Sequence, residues 1–164
     1  MIKISKNLLL NPARIWVSGI KWNFENIAKI AGFFDCKWVV VTIDSLKKDS
    51  LLLSLVKDKG LKYFSKYHVA DYIEVSVVIP YSLFEDILEK AICEEPENIF
   101  VSNLPDSANW DIHLQRPFEA LVAAGITDVF ISVSFDENVL SISVNKSLIQ
   151  PQALYRKIKA LRFD

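Results

Sequence analysis

Glycine is scarce in this chain. Gly19, Gly32, Gly60 and Gly125 stand singly and far apart in 164 residues. A nucleotide cradle needs glycines clustered where backbone must approach phosphate, so a dinucleotide fingerprint and a P-loop are both excluded. Soft metal ligands are scarce too. His68, His113, Cys36 and Cys93 make up the whole set. Their spacing is wide and irregular, whereas structural zinc sites pair ligands locally, so no metal or cofactor is expected. Two cysteines among apolar neighbours, in no recurring framework, read as small, buried, inert side chains of a reducing compartment.

Long apolar runs are also missing. Stretches such as Trp38 to Val41 fall far short of the ~20 residues a helix needs to cross a bilayer. Near the N-terminus, Lys3 and Lys6 are followed only by Leu8, Leu9 and Leu10 before Asn11 and Pro12. That is too little for the apolar region of a secretory signal, and cytoplasm is the expected compartment.

What is present is a globular composition: 51% hydrophobic residues and a mean hydropathy of +0.23. Disordered chains are less apolar, and a chain this long can bury a core, so a single domain over 1–164 is expected. The strongest pattern runs from Asp128 to Val144. Val129, Ile131, Val133 and Phe135 alternate with Ser132 and Ser134. After Asp136, Glu137 and Asn138, Leu140, Ile142 and Val144 alternate with Ser141 and Ser143. Period-two alternation on both sides of a short polar turn predicts a C-terminal β-hairpin with one buried and one wetter face.

Further elements follow in order. Arg14 to Val17 reads as a short strand. Asn23 precedes a helical stripe of Phe24, Ile27, Ala28, Ala31 and Phe34, with Glu25 at its positive end. Lys37 to Ile43 is dense in Val and Ile, as an interior strand covered on both faces would be. Ser45 to Tyr67 reads as two helical pieces broken at Gly60. Tyr72 to Ile79 alternates as a strand. Ser82 to Glu85 has capping-box spacing before the stripe Phe84, Ile87, Leu88, Ala91 and Ile92. Asn98 to Ser102 reads as a strand, Leu104 to Leu114 as a long loop, and Pro117 to Gly125 as a short helix. Pro151 opens a last helix with Leu154, Ile158 and Leu161 inward and Arg156, Lys157, Lys159 and Arg162 outward. Val75 to Leu83 and Ile142 to Leu148 share a faint strand, break, Ser-Leu, helix order, too weak to establish duplication. The sum is an α+β domain: a mixed β-sheet of about five or six strands, including the hairpin, covered by about five helices.

The net charge of -1 hides an uneven distribution. Residues 1–84 carry twelve Lys/Arg against seven Asp/Glu, while residues 85–119 carry nine Asp/Glu against Lys90 and Arg116. Carboxylate pairs such as Glu85/Glu89 and Asp86/Glu89 read as a solvated helix flank instead of a general acid and base. Cys93 and His113 could meet across the acidic loop with Asp111 orienting the imidazole, but Glu94 and Glu95 are the wrong neighbours for a thiolate. Lys57, Lys59, Lys62, Tyr63, Lys66, Tyr67 and His68 form a second surface, in which lysines interleave with aromatics as in nucleic-acid binders.

The acidic block carries the leading expectation. Glu94, Glu95, Glu97, Asp106 and Asp111 around Trp110 would form a carboxylate rim and an aromatic anchor for a basic protein. The expected function is a non-enzymatic binding module, such as an inhibitor or immunity-type protein that neutralises a cationic nuclease-like toxin or enzyme. A nucleic-acid binder on the Lys/aromatic surface and an enzyme with a Cys93/His113 site are the alternatives.

Overall fold

The computed structural model describes residues 3–5, 14–34, 37–69, 71–104 and 128–161. Eight strands are described: β1 (Lys3–Ser5), β2 (Arg14–Ile20), β3 (Trp38–Lys47), β4 (Tyr63–Val69), β5 (Tyr72–Pro80), β6 (Asn98–Leu104), β7 (Val129–Ser134) and β8 (Val139–Asn145). Four α-helices accompany them: α1 (Phe24–Ala31), α2 (Leu51–Asp58), α3 (Phe84–Cys93) and α4 (Pro151–Lys159). The strands make one sheet in the order β1-β2-β8-β7-β6-β3-β5-β4, and every described pair is antiparallel.

The α+β class therefore stands, but the mixed sheet of five or six strands does not. Among the described residues the sheet is antiparallel and has eight strands, with four α-helices instead of about five. Alternation marks which residues face inward. Pairing direction depends on which strands become neighbours, and alternation does not encode that.

Side-chain period explains the layering. Val39, Val41 and Ile43 of β3 share one face with Val75, Val77 and Ile79 of β5, with Ile99 and Val101 of β6, and with the hairpin's Val129, Ile131, Val133, Leu140, Ile142 and Val144. The helices press their own stripes onto that face: Ile27 and Ile30 from α1, Leu52 and Val56 from α2, Phe84, Ile87 and Leu88 from α3, Leu154 and Ile158 from α4. No described helix lies on the opposite face. It is not simply wet, however. Val40, Val78 and Phe130 are buried there, Phe130 stacks on Phe100 at 6.1 Å, and Thr42 and Ser76 share a 2.8 Å hydrogen bond.

The sheet divides into two halves that correspond strand for strand. From β3 to β6 the chain runs β-α-β-β-α-β with strand order β6-β3-β5-β4, the ferredoxin-like arrangement. The other half has the order β7-β8-β2-β1, with α4 after β8 and α1 after β2. It is assembled from both ends of the chain, so the contiguous half sits between the two parts of the other. Pairing of β6 with β7 joins the halves, and pairing of β2 with β8 holds the outer half together.

Local chemistry sets the element ends. The Asn23 side chain accepts the Asn26 amide at 2.7 Å and caps α1 as expected. Gly60, at φ +63, closes α2, where a Cβ would be strained. The piece after it is a correction. Tyr63 to Val69 is strand β4, not helix, since its Tyr, Phe and Val residues favour an extended edge paired with β5. The capping box is also corrected. A 3-10 turn at Tyr81–Leu83 runs straight into α3, the Phe84 amide donates to the Tyr81 carbonyl, and Ser82 caps nothing. The expected loop after Leu104 and the helix at Pro117 lie outside the described residues.

Truncating Ile142, fully buried in the sheet core, to Ala should cost about 2–5 kcal/mol in urea unfolding. Asn23→Ala should cost about 1 kcal/mol through the lost cap. Ser141→Ala, on the other face of the same strand, should stay within about 0.5 kcal/mol.

Candidate functional site

Helix α3 carries the acidic segment outward. Its buried stripe is Phe84, Ile87, Leu88 and Ala91, and at 3.6 residues per turn Glu85, Asp86, Glu89 and Lys90 fall on the other side. Asp86 and Lys90 satisfy each other, with Nζ 2.9 Å from Oδ1. That hydrogen bond, aided by the charges of Lys90 and Lys59, holds the Asp86 carboxyl below its ordinary range against the opposing effect of desolvation. Glu85 and Glu89 are exposed and make no described ion pair or side-chain hydrogen bond. They read as the solvated flank expected of them.

The turn between α3 and β6 divides the expected site residues by role. Glu94 is half-buried, and its Oε1 accepts the Leu52 amide at 3.2 Å. Ser50 Oγ accepts the Leu53 amide at 2.9 Å. Together they satisfy two first-turn donors of α2, whose own first turn holds no acidic residue. Glu94 thus places a carboxylate at the positive end of a neighbouring helix. Its work is structural, which removes it from a set of free carboxylates.

Glu95 and Glu97 differ from it. Both are exposed. Glu95 has φ +51, the left-handed conformation that usually falls to glycine just past a helix end. The Glu97 carbonyl accepts the Phe135 amide at 3.1 Å, leaving its side chain uncommitted. Asp106, Trp110 and Asp111 lie outside the described residues. The structure therefore brings Glu95 and Glu97 together at one end of α3, and engages Glu94 elsewhere.

An open groove of about 670 Å³ lies between α2 and the end of α3, lined by Leu51, Leu52, Leu55, Lys90, Cys93 and Glu94 among others. Cys93 is exposed in it, which corrects the expectation of a buried thiol. The sequence held the signal. Counted at helical spacing from Phe84, Cys93 falls half a turn away from the buried stripe. His113, its expected partner, and Cys36 lie outside the described residues. No group of three or more His, Cys, Asp or Glu among the described residues could hold a metal ion.

The Lys/aromatic surface divides across the sheet. Phe64 pairs with Ser76 and Lys66 with Glu74, which puts both on the face without helices. Tyr63 pairs with Val77 and faces the helix side. Lys57 and Lys59 stand at the end of α2, and Tyr67 and His68 are described only in their backbone. Of the expected surface, Tyr63 and Lys66 are thus on opposite faces of the sheet.

The sequence did not point to Arg14. It is buried, with Nε donating to Ser143 Oγ at 2.7 Å and Nη2 to the Ser143 carbonyl at 2.9 Å. Burial pulls its pKa below the ordinary value, and the Asp128 carboxylate opposes that. These bonds tie β2 to β8 and make Arg14 part of the scaffold.

In the native protein Cys93 should react promptly with a thiol reagent, and Cys93→Ser should abolish that fast phase. A thiol that reacts only after unfolding would contradict its position.

No family model matches this chain, and no curated protein matches it. Among solved structures, the chain is similar to the ligand-free regulatory subunit of aspartate kinase from Thermus thermophilus, at 9% identity and a TM-score of 0.29, covering 76% of this chain and 92% of that one. It is also similar to the aspartokinase alpha and beta subunits, at 12% identity and a TM-score of 0.26, covering 77% and 95%.

Proposed function

We propose that this chain is a non-enzymatic protein-binding module that presents the exposed carboxylates of the turn after α3 to a basic partner in the cytoplasm. A cationic nuclease-like enzyme or toxin is the kind of partner it fits, held as an immunity protein holds its toxin.

The observation that carries this reading is Glu95. Its left-handed backbone costs a non-glycine residue about 1–2 kcal/mol relative to glycine, and its side chain returns no described bond to the fold. A strained, solvated carboxylate next to Glu97 supports a role outside folding. Carboxylates at a rim would steer a basic partner by long-range attraction, and that attraction weakens as salt rises.

The test is a pull-down from the native host at moderate salt, comparing wild type with Glu95→Lys/Glu97→Lys. Wild type should retain one stoichiometric basic protein, and the variant should lose it with its circular dichroism unchanged. Retention of the same partner by the variant would sink the proposal. Glu95→Gly should raise stability by about 1 kcal/mol while weakening partner binding, which separates the fold's preference from the site's.

A further inference from the structure

Among the described residues β4 forms one edge of the sheet, and its backbone is arranged to receive another strand. The Lys62 carbonyl accepts the Val78 amide at 2.9 Å. In an antiparallel ladder, alternate residues exchange both backbone bonds with the partner, so Lys62, Phe64 and Lys66 turn theirs toward β5. Tyr63 and Ser65 lie between them and turn N–H and C=O away from the sheet. Ser65 and both its neighbours are exposed. These outward groups are a pairing template of the kind natural edges usually blunt.

The side chains along this edge specify what would pair there. Lys62 and Lys66 are exposed, with the half-buried Glu74 opposite Lys66. Tyr63 and Phe64 each expose more than a third of their surface, on opposite faces. A second copy of this chain would bring like charge against like charge, and lysines on an edge act against self-pairing. An acidic strand meets the opposite situation. With period-two alternation, its carboxylates would lie beside Lys62 and Lys66 on the face without helices, and its apolar residues beside Tyr63 on the other.

We infer that β4 is a docking edge for an extended acidic segment of a partner protein, which adds to the sheet as a ninth strand through the outward backbone groups of Tyr63 and Ser65. Main-chain bonds supply affinity, and alternate side chains supply selectivity. This site lies on a different element from the Glu95/Glu97 turn and does not depend on that reading.

The test uses fluorescently labelled peptides of alternating glutamate and valine, or of alternating lysine and valine, in anisotropy titrations at low and high salt. The glutamate peptide should bind, less tightly as salt rises, and the lysine peptide should not. Lys62→Glu/Lys66→Glu should weaken binding by about tenfold or more. Ser65→Pro removes an outward N–H without taking a bond from the β5 ladder, so it should abolish binding with circular dichroism intact. A measurement free of any folding effect is N-methylation of the peptide. Methyl groups on the amides facing β4 should abolish binding, and those on the other amides should not.

No binding of the glutamate peptide at low salt overturns the inference. Equal binding by both methylated peptides does so too, because the lysines would then be acting as a diffuse anion site. Binding of a single-stranded oligonucleotide with the same lysine dependence but no effect of Ser65→Pro would assign the surface to nucleic acid instead. Self-association of the wild type that Ser65→Pro removes would make the occupant a second copy and overturn the inference.

Discussion

The pairing of β2 with β8 is the constraint on which the rest of the architecture depends. It brings Ile15 opposite Val144 and Val17 opposite Ile142, so residues more than a hundred positions apart complete one apolar surface. Arg14 reinforces the ladder from the opposite face through Ser143. A one-residue slip would turn every one of these side chains to the wrong face, so burial itself enforces the register. The local break between Val17 and Ile20, where Gly19 takes φ +76, restores Ile20 to the core after a bulge.

With the outer half held in this way, the helix layer follows. α1 packs against α3 across the middle of the sheet, and α2 flanks α3. The two layers then share the loads of polar groups that the elements cannot satisfy alone. Glu94 is the example, since a carboxylate from the end of α3 completes the first turn of α2. Neighbouring Glu95 and Glu97 do nothing comparable for the fold. That contrast within four residues separates a structural carboxylate from ones open to recognition.

The two proposed surfaces have different physical characters. The turn after α3 offers solvated charge on a strained backbone, which favours steering and long-range attraction. The β4 edge offers unpaired backbone with lysines beside it, which favours an ordered, directional addition.

How far the sequence could be read follows from the range over which each feature is decided. The hairpin from Val129 to Asn145, the Asn23 cap, the Gly60 stop and the inward stripe of α3 depend on neighbours within a few residues. Those were legible. The exposure of Cys93 is encoded locally as well, by its angle from Phe84 around α3. The second piece of Ser45 to Tyr67 is ambiguous in sequence because its aromatics fit either a helix or an edge strand until β5 is beside it. The echo of Val75 to Leu83 in Ile142 to Leu148 does mark two strand-to-helix connections, but β5 corresponds to β2 and β8 to β3, so they occupy different places in the two halves. By itself, then, the sequence determined which residues turn inward and where several elements end, because backbone periodicity and capping are local. Strand order, the all-antiparallel pairing, the engagement of Glu94 and the burial of Arg14 were decided only by tertiary structure, because each depends on groups brought together from distant parts of the chain.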